Sequence, residues 1–304
     1  MLSRDLQRHT DLHRALGFKF RTQHALLRLF VTHAEGLGDE FVDGGRVIDW
    51  AAQAPSAAQR RNRLLTVRRF ALALRAEDGR HEVPPVDVFG VTGPRRRKPY
   101  IYAPEEITQL LAAAARLRPA ASLKSSTYET LFGLLAATGM RVSEALALQV
   151  ADVTVDGLLI RATMFQKSRL LPLQDTVRAA LERHMQHHAR IALPGDSLFT
   201  SISHGPLPYD TVAGAFRRLA RSLGLRGEAG QRGARIHDLR HTFAVRSLER
   251  CAPERHAIAR HLVALSTYLG HARVADTYWY LEATPVLLRE VADAGEILLR
   301  GAQA

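Results

Sequence analysis

The spacing of apolar residues over the first 78 positions predicts helices. Leu26, Leu27, Leu29, Phe30 and Val31 cluster between Phe20 and Glu35, and Gly36 and Gly38 then stop the run. Ser56 followed by Gln59 has capping-box spacing, and a long helix is expected from there to about Glu77. Leu64, Val67, Ala71 and Leu74 fall on one face of it. Arg61, Arg68 and Arg75 form a stripe beside that face. Such a stripe suits a row of phosphates, and it also suits a plain solvated edge. From Gly79 to Pro99 the periodicity fails, because Pro84, Pro85, Pro94 and Pro99 interrupt any helix. This stretch reads as a linker ending in Arg95, Arg96, Arg97 and Lys98, which either tracks a nucleic-acid backbone or stays solvated.

Helical patterning returns at Ala103-Pro104-Glu105-Glu106. Proline near the first helical position and acids in the first turn make a good start. Helices continue to about Leu148. Short strands at Val153 to Val155 and Leu158 to Thr163 then flank Asp156-Gly157, a hairpin signal. A third strand, Leu170 to Leu173, lies beyond Phe165-Gln166-Lys167-Ser168. From Asp175 the pattern is helical again, broken at Pro194-Gly195 and between Gly224 and Gly233. The expected architecture is mainly α with a small antiparallel sheet (α+β). It has a helical domain at 1–90, a basic linker at 91–99 and a larger domain at 100–304.

Composition narrows the function classes. The hydrophobic fraction of 46% over 304 residues fits a globular chain and excludes general disorder. The formal net charge of +12 points to a polyanionic partner or to a solubilising excess. Of the 42 basic residues only four are lysines (Lys19, Lys98, Lys124, Lys167). Cys251 stands alone, so no internal disulfide forms, which fits a reducing compartment. No apolar run approaches the roughly 18 residues of a membrane span. Arg4, Asp5, Arg8, His9 and Asp11 interrupt any signal-peptide core. A cytoplasmic protein with no membrane partner is expected.

Three segments carry chemistry. In Ala137-Thr138-Gly139-Met140-Arg141-Val142-Ser143-Glu144, Gly139 permits a tight turn and sets Arg141 near a helix N-terminus. That is a strong phosphate site, unless Arg141 merely pairs with Glu144. In His237-Asp238-Leu239-Arg240-His241-Thr242-Phe243, His237 and Arg240 share one helix face. The third segment is Leu269-Gly270-His271, followed by Thr277-Tyr278-Trp279-Tyr280. Each alone has a plain explanation in packing or capping.

In this order the three boxes resemble the tyrosine recombinase (phage integrase) family, across about residues 100–285. The resemblance implies a DNA breaking-rejoining catalytic fold behind a helical, SAM-like core-binding domain, which clamps double-stranded DNA. It implies Tyr280 as nucleophile, giving a 3′-phosphotyrosyl link and a free 5′-hydroxyl without metal or nucleotide cofactor. Chemically, Arg141 and Arg240 suit the clamping of phosphate oxygens. His237 suits acceptance of the phenol proton and His271 a further hydrogen bond. Glu144 suits orienting a helix or an arginine. Tyr278 competes with Tyr280; family spacing favours Tyr280, and Tyr278 and Trp279 are expected to pack. Two protomers per site, a tetramer at synapsis, or a partner recombinase are implied. So is a C-terminal helix, Val286 to Leu299, docking on a neighbour or on its own core.

One departure matters. Aligned on Lys-Ser-Arg and Pro-Leu, the position of the family's hairpin lysine, the acid for the leaving oxygen, falls on Met164. A thioether has no proton to give. Lys167 is the remaining lysine in the turn. A type IB topoisomerase and a non-catalytic DNA-binding accessory protein are the rival readings. His184, His187 and His188 share helical spacing that can imitate a metal site, but without a carboxylate or thiol they read as a solvated face.

Overall fold

The computed structural model describes residues 1–90, 97–117, 123–161, 168–190, 197–201, 205–228, 231, 233–251, 255–271, 273–280 and 289. The chain forms two compact units, Met1–Arg97 and Lys98–Ala304. The stretch 91–96, holding Arg95 and Arg96, and the hairpin stretch 162–167, holding Met164 and Lys167, lie outside the described residues. So does nearly all of the C-terminal stretch. No helix among the described residues is long and apolar enough to cross a membrane.

The first unit is four helices: α1 (Leu2–Ala15), α2 (Arg21–Gly36), α3 (Gly44–Ala52) and α4 (Ala57–Arg75). Ser56 caps α4 by accepting from the Gln59 N–H at 3.3 Å, as its spacing predicts. The predicted α4 face does enter the core, where Leu64, Val67 and Leu74 meet Phe30, Val47 and Trp50.

The segment after α4, where Gly79 to Pro99 reads as a linker, packs over its first part, which the expected domain bounds of 1–90 already include. Residues 79–90 strap the helices. The Glu82 N–H donates to the Val42 carbonyl at 2.8 Å, and the Glu82 carboxylate accepts from the Gly44 N–H at 2.9 Å. Val83 and Phe89 add apolar contact to the core. Arg68 donates to the Pro84 carbonyl and Arg61 to the Gly90 carbonyl, so two arginines of the stripe brace this strap. Prolines exclude a helix here, but they do not exclude packing. Arg75, at the last turn of α4, stays exposed.

The second unit is built on α6 (Leu123–Thr138), against which α5 (Pro104–Ala115), α8 (Asp175–Arg190) and α10 (Asp238–Glu249) pack. Beside them lie the short α7 (Val142–Ala145), α9 (Tyr209–Ser222), α11 (Arg255–Leu269) and α12 (Ala275–Tyr278). A three-stranded antiparallel sheet in the order β1-β2-β3 comprises Val153–Thr154, Gly157–Ile160 and Arg169–Leu171. Thr154 pairs with Gly157, so the turn falls on Val155-Asp156, one residue earlier than expected. Gly157 is needed for another reason. It has φ +139°, and a Cβ there would lie 2.2 Å from the Leu171 carbonyl oxygen of the third strand. The register sets Arg169 opposite Ile160 at the start of β3.

The expected solvated histidine face on α8 is corrected. His184 is buried, with Nδ1 3.0 Å from the Ser126 hydroxyl and Nε2 3.1 Å from the Leu198 carbonyl. It is a polar tie between α8, α6 and the segment after it. A ring with both nitrogens satisfied sits in a core at little cost.

Candidate active site

Two helix ends build the site. Gly139 terminates α6 at φ +60°, and a Cβ there would lie 2.5 Å from the Phe243 ring of α10. Gly270 terminates α11 at φ +67°. The Gly270 and His271 N–H groups close back onto the carbonyls of Thr267 and Ser266, both at 3.0 Å. Each turn needs a residue at ease in the left-handed region. The two ends present carbonyls to one guanidinium. Arg240 donates to the Gly139 oxygen at 2.8 Å and to the Leu269 oxygen at 2.9 Å. A third contact, of 2.8 Å, reaches His271 Nε2.

Arg240 is only 3% exposed. Burial lowers its pKa, and a guanidinium nonetheless stays charged at neutral pH. Its charge is held by the negative ends of two helices. His237 stands at the N-cap of α10 with part of its surface open to solvent. Asp238 anchors the turn through a 2.9 Å bond from the Arg235 N–H and a 2.7 Å ion pair with the Arg235 guanidinium. Loss of solvation and then the Arg240 charge hold His237 below its ordinary pKa, so the ring is neutral at pH 7.

Arg141 precedes α7, and its N–H donates to the Glu144 carboxylate at 2.9 Å. Its guanidinium reaches Glu144 Oε1 at 2.9 Å and the Gly270 carbonyl at 3.2 Å. Arg169, from β3, grips the same carboxylate with two N–H groups, at 3.1 and 2.9 Å. Burial alone would push the Glu144 carboxyl up. Hydrogen bonds from Arg169 and the Arg141 backbone, with both positive charges, outweigh it and hold the carboxyl below its ordinary value.

Tyr280 is 3% exposed and Tyr278 53% exposed. The sequence expectation that Tyr278 packs is therefore corrected, whereas Trp279 does pack partly against the local core. The Tyr280 ring lies nearly parallel to His271, centroids 5.9 Å apart, and 5.4 Å from His241. His241 in turn lies 5.0 Å from His237. His271 Nδ1 is 2.8 Å from the Thr277 hydroxyl. With Arg240 donating to Nε2, the His271 proton belongs on Nδ1. As placed, then, the ring accepts from Arg240, where the sequence suggested a donor.

The structure thus brings Arg141, Glu144, His237, Arg240, His271 and Tyr280 into one neighbourhood. Lys98 is exposed and Arg97 half-buried at the boundary of the two units. Sequence reasoning passed over Arg169, His241 and Thr277. Arg169 stands in the segment that carries the lysine question, and a lone arginine on a short strand has no periodic signal of its own. Among the described residues no group of three or more His, Cys, Asp or Glu side chains is placed to hold a metal ion.

Burial, ahead of the neighbouring positive charges, pushes His241 and His271 down to about 4. In the unfolded chain both titrate near 6.5. Between those values the unfolded state binds more protons. The stabilisation is therefore complete above about pH 6.5 and drains as the pH falls toward 4. The thermal midpoint of the second unit is expected to fall between about pH 6.5 and 5, where carboxylates remain mostly ionised. Calorimetry in matched buffers checks this, and His241→Gln should flatten the slope. A midpoint indifferent to that interval would contradict it.

The second unit is a mainly helical domain with a small antiparallel sheet and an Arg-His-Arg-His-Tyr cluster. A sequence model of the phage integrase family matches residues 101–285, and the chain belongs to that family of tyrosine recombinases. The protein y4rB of Sinorhizobium fredii, named as an integrase/recombinase, is 38% identical over 297 residues, covering 94% of each chain. Tyrosine recombinase XerD of Brucella abortus is 30% identical over 244 residues, covering 76% of this chain and 73% of that one. The fold matches XerH recombinase in a post-cleavage complex with its difH substrate. The TM-score is 0.63 with 21% identity, over 84% of this chain and 73% of that one. It also matches the Tn1549 transposon integrase, with TM-score 0.62 and 16% identity, over 95% and 99%.

Proposed function

We propose that the chain is a site-specific recombinase that cuts and rejoins double-stranded DNA through Tyr280. The observation that carries this is the meeting of Tyr280 with His271 and Arg240 in one cluster, beside Arg141. The Tyr280 oxygen attacks a backbone phosphorus, and the bond from phosphorus to the 5′-oxygen breaks. The phenol proton passes to His237, which is neutral at pH 7 and able to take it. Arg141 and Arg240 meet the charge that builds on the non-bridging oxygens. His271 holds Arg240. Once Arg240 turns from Nε2 to the phosphate, the Thr277 hydroxyl, which both donates and accepts, permits the tautomer in which His271 donates to phosphate. Attack by a 5′-hydroxyl on the phosphotyrosine reverses the step. Because Tyr280 is packed, its ring turns outward for in-line attack.

In this reading the first unit is the core-binding domain. Arg75 and the run Arg95, Arg96, Arg97 and Lys98 contact backbone phosphates, and Arg61 and Arg68 combine that contact with their bracing role. Four protomers assemble at synapsis, in the cytoplasm at the nucleoid. The solved complexes of related fold include a lambda integrase tetramer bound to a Holliday junction. The reading is tested with nicked suicide duplexes tiled across the DNA flanking the chain's own gene, resolved on denaturing gels. A protein–DNA covalent band is expected.

Met164 favours a second reading, a catalytically weak DNA-binding partner, because the family's lysine position lacks a proton donor. Lys167 or water then protonates the leaving oxygen. Met164→Lys is expected to raise the single-turnover cleavage rate about tenfold or more, within the range general-acid catalysis supplies. An unchanged or lower rate would leave the role to Lys167 or to no residue of this hairpin.

A further inference from the structure

We propose that Arg169 is a positioning residue that occupies the Glu144 carboxylate on both oxygens and so keeps Arg141 available to phosphate. This rests on the recombinase reading above. Three observations converge. Arg169 is nearly enclosed, with 13% of its side chain exposed, and Glu144 keeps only 8%. The Arg169 Nε–H donates to the Tyr268 carbonyl at 2.9 Å, which ties the strand to the end of α11. Gly270 makes room for the guanidinium, since a Cβ there would lie 2.6 Å from Arg169 Nη1. From its place on β3, one side chain therefore reaches the first and third of the sequence boxes or their borders: Glu144 of the first, and the turn before His271.

The electrostatics give this arrangement a purpose. A carboxylate three residues from a catalytic arginine is a competitor for it. A planar guanidinium and a carboxylate pair best through two parallel bonds. Without Arg169, Glu144 is free to take Arg141 in that manner and to cancel its charge in a half-buried place where screening is weak. With Arg169 holding both oxygens, Arg141 keeps one bond to Oε1 and one to the Gly270 carbonyl. The trio of two arginines and one carboxylate retains a net positive charge beside the place the phosphate must occupy.

The test is a double-mutant cycle on the full-length protein with Arg169→Met, Arg169→Lys, Glu144→Gln and Arg169→Met/Glu144→Gln. Two readouts are taken: single-turnover cleavage of the duplex found by tiling, and binding of orthovanadate, which mimics pentacoordinate phosphorus. Arg169→Met is expected to slow cleavage about tenfold to a hundredfold, with non-covalent duplex binding within about threefold of wild type. Arg169→Lys should recover part of the loss. Adding Glu144→Gln to Arg169→Met should recover about tenfold, because the amide no longer draws on Arg141. Vanadate affinity should follow the same order.

A double variant as slow as Arg169→Met, or an Arg169→Met rate equal to wild type, overturns the proposal. If Arg169→Met fails to fold, the comparison of Arg169→Lys with Arg169→Lys/Glu144→Gln decides on the same criterion. If the wild type cleaves no duplex, the recombinase reading fails, and vanadate binding alone decides the role of Arg169. A wild type that binds no vanadate overturns that role as well.

Discussion

Tyr280→Phe is expected to abolish the covalent protein–DNA band while leaving non-covalent binding to the same duplex unchanged. The phenol oxygen is the sole atom removed, and it is the atom proposed to become bonded to phosphorus. The fold should survive, because the ring stays to pack against His271 and His241 and the lost hydroxyl is worth about 1 kcal/mol. Tyr278→Phe provides the contrast. That side chain is exposed, lies two positions earlier, and should leave the band intact. A covalent band persisting in Tyr280→Phe and vanishing in Tyr278→Phe would transfer the assignment. A band persisting in both would remove tyrosine from the mechanism.

Arg240 carries the second large effect. Arg240→Met should lower the single-turnover cleavage rate by roughly a thousandfold, about 4 kcal/mol, the upper range for removing one preorganised donor to a developing oxyanion. The reason lies in how its charge is held. The carbonyls of Gly139 and Leu269 are dipoles, so they solvate the guanidinium without neutralising it, and a full positive charge remains for phosphate. Arg240→Lys should also fall short, by about a hundredfold. An ammonium has no planar fork with which to span two helix ends and a phosphate together. Gel quantification at saturating protein measures both. Cleavage by Arg240→Met within about tenfold of wild type would show that Arg141 suffices alone.

Local chemistry made much of the fold legible. The Ser56 cap, the proline start of α5, the core face of α4 and the three short strands all follow from interactions within a few residues. The boxes were legible because each of their residue types has a narrow chemical use. Other features were not. Prolines at 84 and 85 mark a non-helical chain, but whether it hangs free or straps a core depends on Val42 and Gly44, some forty positions earlier. His184 reads as solvated from its neighbours in sequence, and its burial depends on Ser126 and Leu198. Tyr278 and Tyr280 differ by two positions, and a short helix turns one outward and the other inward.

By itself, then, the sequence determined a mainly helical chain, its small sheet, and a set of arginines, histidines and a tyrosine in the order of one enzyme family. Such properties are read from periodicity and from residue type, which survive in one dimension. Only the tertiary structure decided that Arg240 is cradled by two helix ends, that Arg169 shares Glu144 with Arg141, and that Tyr280 rests on His271. Those contacts join residues from 25 to more than 100 positions apart, or hang on the angle of a single turn. The free energy of placing them comes from the packing around α6, α10 and α11, which no local pattern records.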